Sequence, residues 1–226
     1  MLIGGVDDAG RGAVIGPLVI AGVLVDESVL VKLVEIGVKD SKLLSPKKRR
    51  QLAERIHRLV TRCYVVKLSP AEIDKVVRTG KKLHRLNRLE AYAMAEVIRI
   101  LKPDMVYVDA SDVSADRFRQ HIIEEIPFRV KVISEHKADR LYPIVSAASI
   151  IAKVERDKAV ADLNQRYGEI GSGYITDLRT VKFLEKWIKT HKAYPDFVRK
   201  SWKPAERIKE RVLTSQRDLI NNLSNK

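Results

Sequence analysis

Cysteine, asparagine, glutamine and long apolar runs are all scarce in this chain, and each scarcity rules something out. Cys63 is the only cysteine in 226 residues. An intramolecular disulfide is therefore impossible, and a disulfide-stapled secreted scaffold is excluded. A reducing cytosol is the natural setting, so a cytoplasmic location is expected. Every apolar run is interrupted by Lys, Arg, Asp or Glu before it reaches membrane-spanning length. Met1-Leu2-Ile3-Gly4 lacks the positive and apolar regions of a secretory signal. His57, His84, His121, His136 and His191 are scattered, which leaves no zinc-site spacing. There is no Walker loop, no Gly-x-Ser-x-Gly elbow, no internal repeat and no linker.

What is abundant is positive charge. The formal net charge is +14 and the pI about 9.8, which points to a polyanionic partner. Nucleic acid fits better than an anionic membrane, because no basic amphipathic tail stands apart from the rest. A hydrophobic content of 45% supports a real core. The length suits one large domain, or one domain with a small appendage. Charged residues at 32% with few amides suit a thermophile, and equally a basic mesophilic protein.

The apolar pattern predicts strands over residues 2–7 and 14–25, the second with an irregularity at Gly16-Pro17. Their β-branched content and closeness predict antiparallel pairing. Residues 62–68, 105–108 and 129–133 are further strands. Ser45-Pro46 caps a helix that runs to about Val60. Helices are also predicted over 84–101, 114–125, 142–166, 180–191 and 203–223. Early strands followed by alternating strands and helices imply a mixed sheet covered by helices on both faces. The strands stop near residue 168. The expected division is therefore 1–168 as the catalytic domain and 169–226 as a mostly helical region laid against it.

Acids at the ends of apolar strands are the candidate chemistry. Leu2-Ile3-Gly4-Gly5-Val6 runs straight into Asp7 and Asp8, and Val106-Tyr107-Val108 runs into Asp109. Asp139 follows the fifth strand and precedes the small-residue helix Val145-Ser-Ala-Ala-Ser-Ile-Ile-Ala-Lys153. Adjacent acids are often just a solvated turn, and an acid before a helix is often just a cap. Three strand-associated acid sites in one chain instead suggest a carboxylate cluster. Such a cluster is costly unless cations bind it. Hard oxygen ligands suit Mg²⁺ or Mn²⁺. Two such ions would clamp the attacking and leaving oxygens of a phosphoryl displacement. Ala9-Gly10-Arg11-Gly12 follows the first pair. Its glycines let backbone N–H groups approach a polyanion, and Arg11 can fork onto it. Gly10-x-Gly12-x-x-x-Gly16 superficially resembles a dinucleotide fingerprint, but that requires a helix at the glycines, and the residues that follow read as strand.

Asp7-Asp8-Ala-Gly-Arg-Gly-Ala-Val-Ile-Gly-Pro-Leu18 resembles the signature of type 2 ribonuclease H, ribonuclease HII, of the archaeal branch. The resemblance continues through Lys39-Asp-Ser-Lys-Leu-Leu-Ser45, Val108-Asp-Ala-Ser111, His136-Lys-Ala-Asp139, Ser146 to Lys153, Gly171-Ser-Gly-Tyr174 and Phe197-Val-Arg-Lys-Ser-Trp202. It implies a ribonuclease H-like α/β fold: a mixed five-stranded sheet, three antiparallel strands then two parallel, flanked by helices, with a helical C-terminal subdomain. It implies an endonuclease acting on the RNA of RNA–DNA hybrids and on ribonucleotides embedded in duplex DNA. Asp7, Asp8, Asp109 and Asp139 match the catalytic positions that hold two Mg²⁺ or Mn²⁺ ions. Gly10, Arg11 and Gly12 match the turn that reads the ribose 2′-hydroxyl, the group that separates RNA from DNA. Tyr174 matches the tyrosine that stacks on the next deoxyribose. Lys42 matches a phosphate contact, and Ser146 and Lys153 match positions near the substrate or metal.

Three departures from the family pattern stand out. Asp8 replaces the usual Glu, which predicts a reduced rate or a preference for Mn²⁺. Ile175-Thr176 replaces the usual proline after Gly-Tyr, which predicts a looser Tyr174 loop. His84-Arg85 stands where an Asn-rich stretch is usual, with no catalytic consequence expected. Two other readings remain beside the nuclease. One is a catalytically weakened hybrid-binding protein, and the other a DNA-cutting relative of the same fold. Gln216-x-x-Leu219 is a partial match to a sliding-clamp peptide and lacks its terminal aromatic pair. A monomer is expected, because a polymer substrate needs an open cleft.

Overall fold

The computed structural model describes residues 1–38, 44–79 and 85–224, without the side chains of 85 and 217–224. Lys42 and His84 lie outside the described residues. The chain divides into two compact units. The first comprises Met1–Arg11, Leu18–Leu68 and Lys81–Asp157, and the second Gly12–Pro17, Ser69–Gly80 and Lys158–Lys226.

The first unit is built on a five-stranded sheet: β1 (Leu2–Ala9), β2 (Leu18–Asp26), β3 (Arg62–Leu68), β4 (Met105–Asp109) and β5 (Lys131–Glu135), in the spatial order β3-β2-β1-β4-β5. The first three strands pair antiparallel, and β4 and β5 run parallel to β1. This is the sheet expected from the sequence. The helices of this unit are α1 (Leu30–Glu35), α2 (Pro46–Leu59), α4 (Arg85–Leu101), α5 (Ala115–Ile123), α6 (Ala138–Leu141) and the first part of α7 (Pro143–Tyr167). The second unit holds α3 (Pro70–Thr79), the rest of α7, α8 (Leu178–His191) and α9 (Lys203–Ser224). No helix among the described residues is long and apolar enough to cross a membrane.

Two glycines set how closely helices approach the sheet. A Cβ on Gly5 would lie 2.5 Å from the carbonyl of Ile144, so α7 sits directly on β1. A Cβ on Gly22 would lie 2.3 Å from Val97 of α4. Strand alternation turns Gly5 and Val6 to opposite faces. Gly22 pairs with Val6, so α4 covers the face that α7 does not. Val145, Ala147, Ala148, Ile150, Ile151 and Ala152 are all buried, so the small residues of α7 lie inside this packing.

The apolar run 14–25 is not one strand. Gly16 has φ +88°, and Pro17 has no N–H to give to a ladder. The strand therefore begins at Leu18. Val14 and Ile15 instead enter the core of the second unit with Ile170, Leu184, Ile188 and Val198. Ile15 forms an isolated antiparallel bridge with Val198, and the Arg199 side chain donates to the Gly16 carbonyl.

Candidate active site

Strand register places two of the acids side by side. Val6 of β1 is level with Val108 of β4, the last pair of that parallel ladder, so the next residues, Asp7 within β1 and Asp109 at the end of β4, follow side by side. One strand further out, Asp109 is level with Glu135 of β5. Glu135 was not singled out from the sequence, and its carboxylate accepts the Tyr142 hydroxyl at 2.9 Å. Asp139 is buried in the first turn of α6. The Ala138 N–H just before it donates to Asp109 Oδ1 at 2.8 Å, which ties the start of α6 to the end of β4. Lys137 turns the chain into that helix with φ +59°, an unusual conformation for a side chain of this size.

The first carboxylates repel one another. Burial pushes Asp7 well above its usual range, and the charges of Asp8 and Asp109 push the same way. Burial also raises Asp8, the Arg11 charge pulls it down and Asp109 pushes it up, leaving it at about 6. Asp7 Oδ1 accepts the Asp8 N–H at 2.7 Å, and Ser111 reaches Asp8 at 3.5 Å. Lys153 donates to Ser149 Oγ at 2.8 Å, and Ser149 in turn bonds Asp7. Ser149 is thus a contributor that sequence reasoning passed over. Its signal was the four-residue spacing to Lys153, one helical turn.

Excess negative charge on hard oxygen donors at a strand end fits a divalent cation. Among the described residues, no three Asp, Glu, His or Cys side chains converge into a ready-made cation cage. The fit therefore rests on the donor chemistry and the mutual repulsion of Asp7, Asp8 and Asp109.

The Gly-Arg-Gly turn follows at once. Gly10 has φ +91°, which favours glycine, and a Cβ on Gly12 would meet nothing within 4 Å. Arg11 is already engaged by the protein. Its Nε lies 2.9 Å from both carboxylate oxygens of Glu90, and a terminal nitrogen donates to Asn87 Oδ1 at 2.6 Å. Neither α4 residue was singled out from the sequence, because a lone Glu or Asn on a helix gives no local signal of a partner so far away in the chain. Asn87 also hydrogen-bonds Asp112. Burial would raise Asp112, yet Arg117, Asn87 and the Ser114 N–H hold it well below the usual carboxylate range.

The remaining candidates fall elsewhere. Ser146 is 1% exposed, and its hydroxyl donates to the Val38 carbonyl at 2.6 Å. Its direct contact is with the backbone of the first unit. Tyr174 belongs to the second unit, in a segment that is well braced rather than loose. Gly173 N–H donates to Thr180 Oγ1 at 3.0 Å, and Thr180 donates to the Ile170 carbonyl at 2.9 Å. Asp177 accepts from Ser172 N at 2.8 Å and caps α8, and Asn164 accepts from Ile170 N at 2.8 Å. Gln216 accepts from Lys192 Nζ at 2.5 Å at the end of α8.

Comparison with known proteins places this arrangement in context. Residues 4–205 match the family model described as Ribonuclease HII. A ribonuclease HII from Thermococcus sibiricus is 49% identical over 99% of each chain. The crystal structure of the ribonuclease H2 from Pyrococcus horikoshii superposes with a TM-score of 0.86 at 44% identity, covering 94% of this chain and 99% of that one. The ribonuclease HII of Archaeoglobus fulgidus, solved in complex with PCNA, superposes with a TM-score of 0.82 at 41% identity, covering 90% and 96%.

Proposed function

The chain belongs to the ribonuclease HII family, and from that premise we propose that it cuts the RNA strand of RNA–DNA hybrids and nicks duplex DNA 5′ to an embedded ribonucleotide. Hydrolysis leaves 3′-hydroxyl and 5′-phosphate ends. The observation that carries this reading is the meeting of Asp7 and Asp8 of β1 with Asp109 at the end of the neighbouring parallel strand β4, where Asp8 and Asp109 raise Asp7 and Asp109 raises Asp8. Asp7, Asp8, Asp109 and Asp139 would hold two Mg²⁺ or Mn²⁺ ions, whose chemistry is to activate water and neutralise the leaving 3′-oxygen.

The chain's own residues supply position. Ser149 and Lys153 orient Asp7 from α7. Asp109 fixes the approach of Asp139 through Ala138. The Gly10-Arg11-Gly12 turn presents backbone to the ribose 2′-hydroxyl, Tyr174 stacks on the deoxyribose that follows, and Lys42 contacts phosphate. Ser146 supports substrate binding through the backbone it holds. The region 169–226 contributes to binding, and its positive charge favours the duplex backbone. The A. fulgidus relative's complex with PCNA supports a sliding clamp as a partner, with Gln216-x-x-Leu219 as part of the contact. The enzyme acts as a monomer in the cytoplasm.

The deciding experiment incubates the protein with a DNA duplex carrying one ribonucleotide, in Mg²⁺ and separately in Mn²⁺, with Asp139→Asn as control. A nick 5′ to the ribonucleotide that the control lacks supports the reading. Binding without a nick in either metal would favour the hybrid-binding alternative and implicate Asp8. Equal cutting of all-DNA duplex would favour the DNA-cutting one.

A further inference from the structure

We propose that Glu90 of α4 is a positioning residue for Arg11, and that the pair sets how strongly the protein distinguishes a ribonucleotide from a deoxyribonucleotide. The inference rests on the reading that the Gly-Arg-Gly turn meets the ribose.

Glu90 is 0% exposed, and a buried carboxylate is tolerated only when paired and hydrogen-bonded. Its pairing with Arg11 is a charge-assisted contact to both carboxylate oxygens, 2.9 Å each. Holding the guanidinium by both carboxylate oxygens favours one Arg11 rotamer. Asn87, three residues earlier on α4, takes the terminal nitrogen at 2.6 Å and removes the remaining freedom to swing. The post itself is firm, because α4 packs through Val97 and Leu101 onto Gly22 of the central sheet.

The corner held by this post needs holding. Gly10 has no side chain to pack and adopts φ +91°. Arg11 is its only long side chain, and it is anchored to α4 immediately after Asp7 and Asp8. Asn87 extends the connection to Asp112, which Arg117 grips three residues beyond Asp109. The chain segments leaving both strand-end acids are thus referred to the same turn of α4. In this role Arg11 anchors the backbone of the turn.

The test is binding in EDTA followed by nicking in Mn²⁺, each on a single-ribonucleotide duplex and on the same duplex in all-DNA form. Wild type is compared with Glu90→Gln, Glu90→Asp, Arg11→Ala and the double variant Arg11→Ala with Glu90→Gln. Glu90→Gln is expected to lower the ribonucleotide-to-DNA affinity ratio about tenfold, the scale of one charge-assisted hydrogen bond. Affinity for all-DNA duplex, set by the basic surface, is expected to hold. Glu90→Asp is expected to recover part of the ratio. In the Arg11→Ala background, Glu90→Gln is expected to add nothing, since both changes remove one coupling. An unchanged ratio in Glu90→Gln, or losses that multiply independently in the double variant, overturns the proposal. Wild type that fails to distinguish the two duplexes overturns the functional reading itself. Thermal melts accompany each variant. If Glu90→Gln fails to fold, Glu90→Asp carries the comparison.

Discussion

The Asp109 carboxylate accepts the backbone N–H of Ala138 at 2.8 Å, so the acid that ends β4 also fixes the residue next to Asp139. One side chain therefore serves the fold and the charge cluster together. Asp109→Asn separates these roles, because an amide oxygen keeps the acceptor while the charge is lost. Cleavage is expected to fall at least about a hundredfold. The metal-free protein is expected to melt at a higher temperature, since Asp7 and Asp8 lose a repelling neighbour. Calorimetry in EDTA beside a cleavage assay checks both. A large loss of stability would show that the Ala138 bond outweighs the repulsion.

The raised acids fix a pH dependence. Asp8 titrates at about 6 in the folded state, and Asp7 is also above its usual range. In the unfolded chain both titrate at about 4. Above about 4 the native state binds more protons, so metal-free stability falls as pH rises, the Asp8 part being complete past about 6. Divalent cations compete with those protons. The melting-temperature gain from Mg²⁺ or Mn²⁺ is therefore expected to grow as pH rises through about 6, where Asp8 titrates, and to shrink below it. A gain that is flat from pH 5 to 8 would exclude these oxygens as ligands.

Asp8 is one methylene shorter than the glutamate usual in the family. Asp8→Glu extends the carboxylate by about 1.5 Å. The rate in Mg²⁺ is expected to rise between about threefold and a hundredfold, closing any gap to Mn²⁺. A rate unchanged or lower in Mg²⁺ refutes the idea that reach is limiting.

Gly5 is expected to tolerate no side chain. A Cβ there would overlap the Ile144 backbone at 2.5 Å, which no rotamer change relieves. Gly5→Ala is expected to cost about 3 kcal/mol by denaturant melt. Activity should fall further than stability alone requires, because α7 carries the Ser149 and Lys153 that orient Asp7.

Thr180→Val tests the bracing of the Tyr174 segment. The change keeps the volume and removes the acceptor for Gly173 N–H and the donor to Ile170. A loss of about 1–3 kcal/mol is expected, along with a weaker preference for ribonucleotide-containing duplex. Unaltered stability would mean that water replaces the hydroxyl.

The sheet was legible because strand signals are local. Apolar runs ending in Asp7 and Asp109 marked both the strands and the acids. The helix Pro70–Thr79 escaped notice, although Ser69 and Glu72 form a reciprocal cap, with Ser69 N–H donating to Glu72 at 2.7 Å. Leu30–Glu35 is too short for helical periodicity to show. The run 14–25 misled because its two parts serve different cores, and Gly16-Pro17 is the local mark of the change. Glu90 and Asn87 were illegible for a different reason. Their meaning lies in a partner 79 and 76 residues away, and no pattern within α4 records it.

The bridge between Ile15 and Val198, with the Arg199 side chain on the Gly16 carbonyl, spans 183 residues. During synthesis the segment 12–17 is made 183 residues before the partner it pairs with and cannot complete its contacts until Arg199 has followed. Val14 and Ile15 are exposed, β-branched and unpaired throughout that interval. Completion of the second unit therefore waits on synthesis through Arg199 and is slow by the measure of contact order. A chain stalled or truncated before Arg199 would present this apolar segment to chaperones or to other nascent chains.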